Sequence, residues 1–301
     1  MPKAGETIYW TINEHRLAIT SPAKVYWPQS GMTKLDLLEY YRDIGPFMLP
    51  FLKDRPATFH VYPRGISDFS FYKRDFEGDV DFVQTYTYHE ISQEKIIQVP
   101  LINNLESLIY FANKGCIEVH SWASKTPQLL RPDMAIFDLD VSARVPFDWA
   151  LMAAYELHLL LEEKGLKSYA KTSGGSGMHV YVPLQPKYSF EFVRKWVKKV
   201  GGELAAKEPD RVASAPTHRK THIGNKVVID YLQNAPTRNT ASPYTVRAYP
   251  HGPVSTPLSW DEVKKGGIKP SDFTLKNMPA RVAQIGDLFA DIMTHQQVIP
   301  D

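Results

Sequence analysis

Cysteine is almost missing from this chain: Cys116 is the only one among 301 residues. A disulfide framework and a cysteine-rich zinc site are therefore excluded. Cys116 lies in an apolar stretch, which suits a buried structural thiol. Long hydrophobic runs are missing too, and none reaches the length that spans a bilayer. Met1 to Thr7 is mostly polar and no long apolar segment follows, so no signal peptide is expected and a cytoplasmic protein is. A strong charge of either sign is also lacking. Lys and Arg total 35 against 33 Asp and Glu, a net charge of +2. That balance does not by itself declare a nucleic-acid binder, but it leaves room for local basic surfaces. There is no internal repeat, no low-complexity segment and no obvious linker. What remains is ordinary globular composition, 43% hydrophobic and 23% charged, at a length for one large or two closely joined domains.

The most informative stretch is Met134-Ala135-Ile136-Phe137-Asp138-Leu139-Asp140. It reads as a buried strand delivering two aspartates separated by one residue. Side chains alternate along a strand, so Asp138 and Asp140 share a face. Their mutual repulsion is relieved by a divalent cation, and hard oxygen ligands suit Mg²⁺ or Mn²⁺. Lys226-Val227-Val228-Ile229-Asp230 repeats the design with a third carboxylate. Three carboxylates on strand ends suit metal-dependent phosphoryl or nucleotidyl transfer. Asp-x-Asp alone also occurs in turns, in calcium loops and in glycosyltransferases.

Around these strands the pattern predicts mixed elements. Lys24 to Trp27 reads as a short ordered segment. Thr33 caps a helix expected to break near Gly45-Pro46. Strands are expected over 57–62, 97–101 and 116–122, with a helix over 105–113. Pro146 opens a long helix that Gly165 stops. Strands over 168–172 and 178–184 flank a glycine-rich loop. An amphipathic helix with lysines on its outer face follows over 190–206, and a last helix is expected over 281–293. Without strict βαβ alternation, this mixture predicts an α+β fold.

The loop Ser173-Gly174-Gly175-Ser176-Gly177 is a candidate phosphate cradle, because glycines let backbone N–H groups approach an anion. It is not a Walker loop, since no Lys-Ser/Thr follows the last glycine. Nor is it a dinucleotide fingerprint, since His179-Val180-Tyr181-Val182 continues as strand. A plain glycine-rich hairpin is the alternative. His179, beside the loop, is a candidate hydrogen-bond donor to a triphosphate oxygen.

Taken together, Asp138-Leu139-Asp140, the loop through Met178-His179, and Val228-Ile229-Asp230-Tyr231 resemble the three motifs of archaeo-eukaryotic primases. More closely, the chain resembles the polymerase domain of bacterial DNA ligase D and its free-standing relatives. The likeness runs over nearly the whole chain. It includes Lys24-Val25-Tyr26-Trp27-Pro28 with Thr33-Lys34, Phe71-Tyr72-Lys73, Glu118-Val119-His120-Ser121-Trp122 and Tyr231-Leu232-Gln233-Asn234.

The resemblance implies a primase-like catalytic core within one module. Its DNA-end-binding part would run to about residue 115, with the catalytic part over 116–301. It implies primer extension and gap filling at DNA double-strand breaks, in non-homologous end joining, with ribonucleotides favoured and two Mn²⁺ or Mg²⁺ ions. Asp138, Asp140 and Asp230 match the metal-binding carboxylates. Ser173, His179, His120, Arg219 and Arg247 match contacts to the incoming nucleotide. Lys24 and Lys34 match lysines that grip a 5′-phosphate, and Phe71 and Tyr72 match an aromatic pair that stacks on the template. The implied partners are DNA with a break, gap or overhang, an NTP or dNTP, a Ku protein and a separate DNA ligase. Work on the chromosome would make the cytoplasmic protein nucleoid-associated.

The physical reading agrees. A terminal phosphate carries extra charge that paired lysines can select. Aromatic faces stack on any base without reading sequence. Relatives usually carry proline where this chain has Val141, and many carry a loop lysine where it has Ser176; Lys171 or Lys220 can substitute. The alternatives are a primase, a lesion-bypass polymerase, a non-catalytic end-bridging module and, more remotely, a glycosyltransferase.

Overall fold

The computed structural model describes residues 5–90, 94–142, 144–215 and 224–300. The chain divides into two compact units. The first holds residues 1–121, 241–254 and 273–284; the second holds 122–240, 255–272 and 285–301. The chain thus crosses between units several times.

The first unit opens with an antiparallel hairpin, β1 (Thr7–Ile12) and β2 (His15–Thr20). Asn13 makes its tight turn at a φ of 49°, a left-handed conformation that asparagine tolerates. A second, irregular hairpin of β3 (Val25–Trp27) and β4 (Met32–Thr33) leads into α1 (Lys34–Leu52). Thr33 and Asp36 cap α1 reciprocally, each side chain accepting from the other's backbone N–H.

The break expected near Gly45-Pro46 does not occur: α1 continues through Gly45, Pro46 and Pro50. An internal proline costs a helix about 3 kcal/mol. Here Leu37, Tyr41, Ile44, Met48 and Phe51 line one buried face and offset that cost. Tyr40 and Tyr41 also pin the helix, donating to the carbonyls of Tyr244 and Ile117 at 2.7 and 2.6 Å. Gly45 gives Leu105 room, since a Cβ there would meet Leu105 Cδ1 at 2.6 Å and that side chain would have to turn away.

Next come β5 (Ala57–Val61), β6 (Phe71–Lys73), β7 (Gln84–Glu90), β8 (Lys95–Leu101), α2 (Leu105–Asn113) and β9 (Cys116–Trp122). Strand β5 pairs antiparallel with both β9 and β6, while β7 and β8 form a separate hairpin. Every residue of β9 is buried, whereas β6 is exposed throughout.

The second unit is built on a six-stranded sheet ordered β13-β14-β10-β12-β11-β16. Its strands are β10 (Met134–Val141), β11 (Tyr169–Thr172), β12 (Met178–Pro183), β13 (Val212–Ser214), β14 (Val227–Asp230) and β16 (Pro257–Leu258). Short strand β15 (Asn239–Ala241) lies before β16 in the chain. Only the β13–β14 pair of this sheet is parallel. The α+β architecture expected from the sequence is the one observed.

Helices α3 (Phe147–Glu163) and α4 (Phe190–Lys207) pack against β10, and the short α5 (Trp260–Lys265) packs on α3. Helix α4 lies on the Phe137 face of β10, where Trp196 meets the Phe137 ring edge-on at 5.6 Å. Strand alternation puts Asp138 and Asp140 on the other face. The last helix, α6 (Met278–Ile285), belongs to the first unit and is shorter than expected. Gly286, at a φ of 77°, ends it in the left-handed conformation that stops helices.

Candidate active site

Register brings the second unit's chemistry into one line. Asp138 on β10 stands directly opposite Asp230 on β14 and His179 on β12. His179 in turn stands opposite Lys171 on β11. The row Asp230–Asp138–His179–Lys171 therefore crosses four adjacent strands, and all four residues are buried. Asp140, two residues along the same face, is partly exposed. His179 Nε2 approaches Asp138 Oδ1 at 3.4 Å, and Gln233 donates to Asp138 Oδ2 at 3.3 Å. Asp230 accepts from the backbone N–H of Leu232 at 2.8 Å. Lys171 donates to Ser255 Oγ at 2.5 Å.

Two carboxylates facing each other across a ladder repel. A divalent cation between them would relieve that repulsion. The donors are hard oxygens, suited to Mg²⁺ or Mn²⁺. Among the described residues, no three or more His, Cys, Asp or Glu side chains are grouped so as to hold a metal ion. This fits the way Mg²⁺ is commonly bound, through one or two carboxylates plus substrate phosphates. The donor set thus fits an ion that arrives with its substrate.

The glycine loop beside this row is shaped from inside. Ser173 Oγ accepts from the N–H groups of Gly175 and Gly177 at 3.2 and 3.1 Å, and Ser173 N–H donates to the Gly177 carbonyl at 2.9 Å. Those two amides are turned onto Ser173 rather than outward as in a ready cradle. Gly177 also lies hard against β10: a Cβ there would meet the Leu139 carbonyl oxygen at 2.4 Å and Asp140 Cα at 3.4 Å.

The first unit carries a second row. Tyr72 on β6 stands opposite His60 on β5, which stands opposite Glu118 on β9. The Tyr72 and His60 rings stack at 4.1 Å. Glu118 is a buried anion with several partners. Its Oε2 lies 2.9 Å from His120 Nε2, 3.2 Å from Arg247 Nε and 3.6 Å from His60 Nδ1; its Oε1 accepts from Ala248 N–H at 2.9 Å. Burial opposes its charge, but the hydrogen bonds from His120 and His60 and the charge of Arg247 outweigh it. Its carboxyl is held well below the usual range. Burial pushes the His120 imidazole down, against the pull of Glu118. A neutral His120 that gives its Nε2 proton to Glu118 keeps Nδ1 as an acceptor.

Lys24 and Lys34 are also brought together. Lys34 N–H donates to the Lys24 carbonyl at 2.8 Å. The Lys34 ammonium is buried, donating to the Thr20 carbonyl at 2.6 Å, and Lys24 Nζ donates to the Pro63 carbonyl at 2.8 Å. Burial, then the nearby charges of Lys24 and Lys114, push the Lys34 ammonium down to about 8. Three mutually repelling cations, one of them buried, favour an anion.

Phe71 and Tyr72 are 37% and 64% exposed, so neither is a core residue. They point to opposite faces of edge strand β6, Tyr72 towards His60 and Phe71 onto Phe69 at 5.7 Å. Arg219 and Lys220 lie outside the described residues.

Sequence reasoning gave no role to Glu118, Gln233 or Lys114. The signal for Glu118 was present, since Glu118 and His120 are two apart on a strand and share a face.

The family model described as "LigD, primase-polymerase domain" matches residues 33–289. The bifunctional non-homologous end joining protein LigD of Bacillus subtilis is 30% identical over 95% of this chain and 45% of its own length. The multifunctional LigD of Mycolicibacterium smegmatis is 28% identical over 92% of this chain and 36% of its own length. The chain thus spans less than half of these curated relatives. Among solved structures, the polymerase domain of Mycobacterium tuberculosis ligase D in complex with DNA superposes with a TM-score of 0.86 at 26% identity. That match covers 94% of this chain and 99% of the other. The chain belongs to the family of LigD primase-polymerase domains, nucleotidyltransferases of the archaeo-eukaryotic primase superfamily.

Proposed function

We propose that this chain extends primers and fills gaps at broken DNA ends by template-directed nucleotidyl transfer, as a polymerase of non-homologous end joining. The observation that carries this reading is the buried row Asp230–Asp138–His179–Lys171 beside the glycine loop. An aspartate pair flanked by an imidazole and an ammonium suits a triphosphate with its counter-ions.

Polymerases of this family generally use divalent metal ions. Asp138, Asp140 and Asp230 would hold them, and two bound ions would activate the primer 3′-hydroxyl and neutralise the leaving pyrophosphate. His179 and Gln233 orient the Asp138 carboxylate through its two oxygens. Ser173, His179, His120, Arg247 and Arg219 are proposed contacts to the nucleotide, with arginine charge stabilising developing negative charge. Favouring ribonucleotides is part of the proposal. So are a Ku protein and a separate DNA ligase as partners, and work at the nucleoid. Among the described residues, no helix is long and apolar enough to cross a membrane.

The test is primer extension on gapped DNA, with and without a downstream 5′-phosphate, supplying NTPs or dNTPs and Mn²⁺ or Mg²⁺. Templated addition is expected, enhanced by the phosphate. DNA binding with no addition under any combination would instead make the chain an end-bridging module.

Lys24, Lys34 and Lys114 are proposed to hold that 5′-phosphate. An incoming phosphate should raise the Lys34 pKa, so above pH 8 binding takes up a proton. Affinity for phosphorylated gapped DNA should therefore weaken as pH rises from 7 to 9. Unphosphorylated DNA should barely respond. Lys34→Met should flatten the profile and remove most of the preference for phosphate. Titrations at fixed salt check this, and parallel profiles for the two DNAs would refute it.

Phe71 and Tyr72, on opposite faces of β6, are each proposed to stack on the template. Replacing both with alanine should leave the melting temperature within about 2 °C, because exposed positions contribute little stability. Extension on short overhangs should fall about tenfold, since stacking is worth roughly 1–3 kcal/mol per base. A sharp drop in melting temperature would return both residues to a structural role.

A further inference from the structure

One face of the second unit is unused by the reading above. Helix α4 covers the sheet on the Phe137 side, opposite the carboxylates, and its outer surface borders a groove of about 730 Å³. The floor is aromatic: Tyr188, Phe192 and Trp196 recur at intervals of four, so they line one stripe along the helix start. The Tyr188 and Phe192 rings stack nearly parallel at 4.9 Å, and Phe192 remains 48% exposed. The rim is cationic, with Lys187, Lys195 and Lys199, and no carboxylate is among the described residues that line the groove. Lys195 pairs with Glu191 at 2.6 Å, but both are exposed, and such a pair is worth little against a polyanion.

The far wall is the segment Val298–Pro300, and it is fixed in place. Ile299 N–H donates to the Tyr188 hydroxyl at 2.9 Å, and Gln297 exchanges backbone hydrogen bonds with Pro183 and Gln185. The groove is therefore preformed rather than assembled on binding.

We infer that this groove binds single-stranded nucleic acid. Lys195 and Lys199 lie one helical turn apart, about 5–6 Å along the axis, a spacing that can serve successive phosphates. An exposed Phe192 ring, stacked on a half-buried Tyr188 and set beside a line of cations, is a combination that binds single strands without reading sequence. A duplex hides its base faces, so only unpaired bases can use the Tyr188–Phe192 stack. An apolar peptide would offer nothing to the charges of Lys187, Lys195 and Lys199, so the groove favours a polyanion. The site is on the opposite sheet face from Asp138, so its occupant is separate from anything held at the carboxylates. The inference does not depend on the nucleotidyl-transfer reading.

Photo-crosslinking of the full chain tests it. The probe is an oligothymidine of about 12 nucleotides carrying 5-iodouracil, within the ~4–16 nucleotide range of single-strand sites. Crosslinks should map to Tyr188 or Phe192. Changing Lys187, Lys195 and Lys199 together to glutamine should weaken oligothymidine binding by about tenfold and flatten its salt dependence. Phe192→Ala should weaken it about fivefold or more at unchanged charge. All these positions border solvent, and thermal melts verify that the variants fold. Crosslinks confined to other residues, or unchanged affinity in the lysine triple variant, would overturn the proposal. So would competition by polyglutamate together with indifference to Phe192→Ala, which would make the groove an acidic-peptide site.

Discussion

Asp138→Asn is expected to abolish nucleotide addition while leaving the fold at least as stable as before. The expected loss is about 10³-fold or more, equivalent to roughly 4 kcal/mol of transition-state stabilisation. Asp138 faces Asp230 across the ladder, and both are buried. Removing one of two opposed charges relieves repulsion, so the melting temperature should hold or rise. The asparagine keeps the shape and still offers an oxygen to Gln233. DNA binding should persist, because the proposed grips are elsewhere. Asp140→Asn should behave similarly towards addition. Primer extension and a thermal melt on the same preparations decide the matter. Extension near the wild-type rate by the double variant would remove these aspartates from catalysis. A clear fall in melting temperature would make Asp138 a structural partner of His179 and Gln233.

Glu118→Ala is expected to have the opposite signature, a large loss of stability. Glu118 is 3% exposed, hydrogen-bonds His120 and the Ala248 amide, and lies 3.2 Å from Arg247 Nε and 3.6 Å from His60 Nδ1. Removing one partner of a buried charged cluster costs about 3–5 kcal/mol, since the Arg247 guanidinium left behind stays desolvated. Glu118→Gln keeps the shape and should lose less. The pH dependence has a definite sign. The folded carboxyl lies below its unfolded value, so its contribution is complete above the ordinary carboxylate range. It is lost as pH falls through that range towards the folded pKa. The stability gap between wild type and Glu118→Gln should therefore be level from about pH 6 upward and narrow below about pH 4. Urea denaturation at several pH values measures it. A gap under about 1 kcal/mol at pH 7 would show that water solvates this carboxylate after all.

The aspartates were legible because a strand has a period of two and an apolar run ending in Asp-x-Asp leaves little freedom. The mixed architecture was legible for the same reason, as periodic runs changed character along the chain. What the sequence could not convey was register. Nothing in the spacing of Lys171, His179 and Asp230 says that they stand in line with Asp138; that follows only from which strands pair. His60, Glu118 and Tyr72 line up for the same non-local reason. Lys114 escaped notice because its neighbour Lys34 is eighty residues away in sequence. The opposite failure occurred in α1. Gly45 and Pro46 are local signals for a break, and burial along the whole helix overrode them.

Gly177 has a consequence of a different kind. Its backbone lies so close to Leu139 and Asp140 that not even a methyl group fits between. Ser173 ties the other end of the same loop to Gly177 by hydrogen bonds in both directions. Loop and strand are therefore one mechanical part with no hinge between them. Whatever displaces the loop displaces the tip of β10, and a carboxylate on that tip cannot drift alone. On the proposed reading, a ligand seated in the loop would bear directly on the alignment of Asp140. The rigidity comes from an atom the chain does not have.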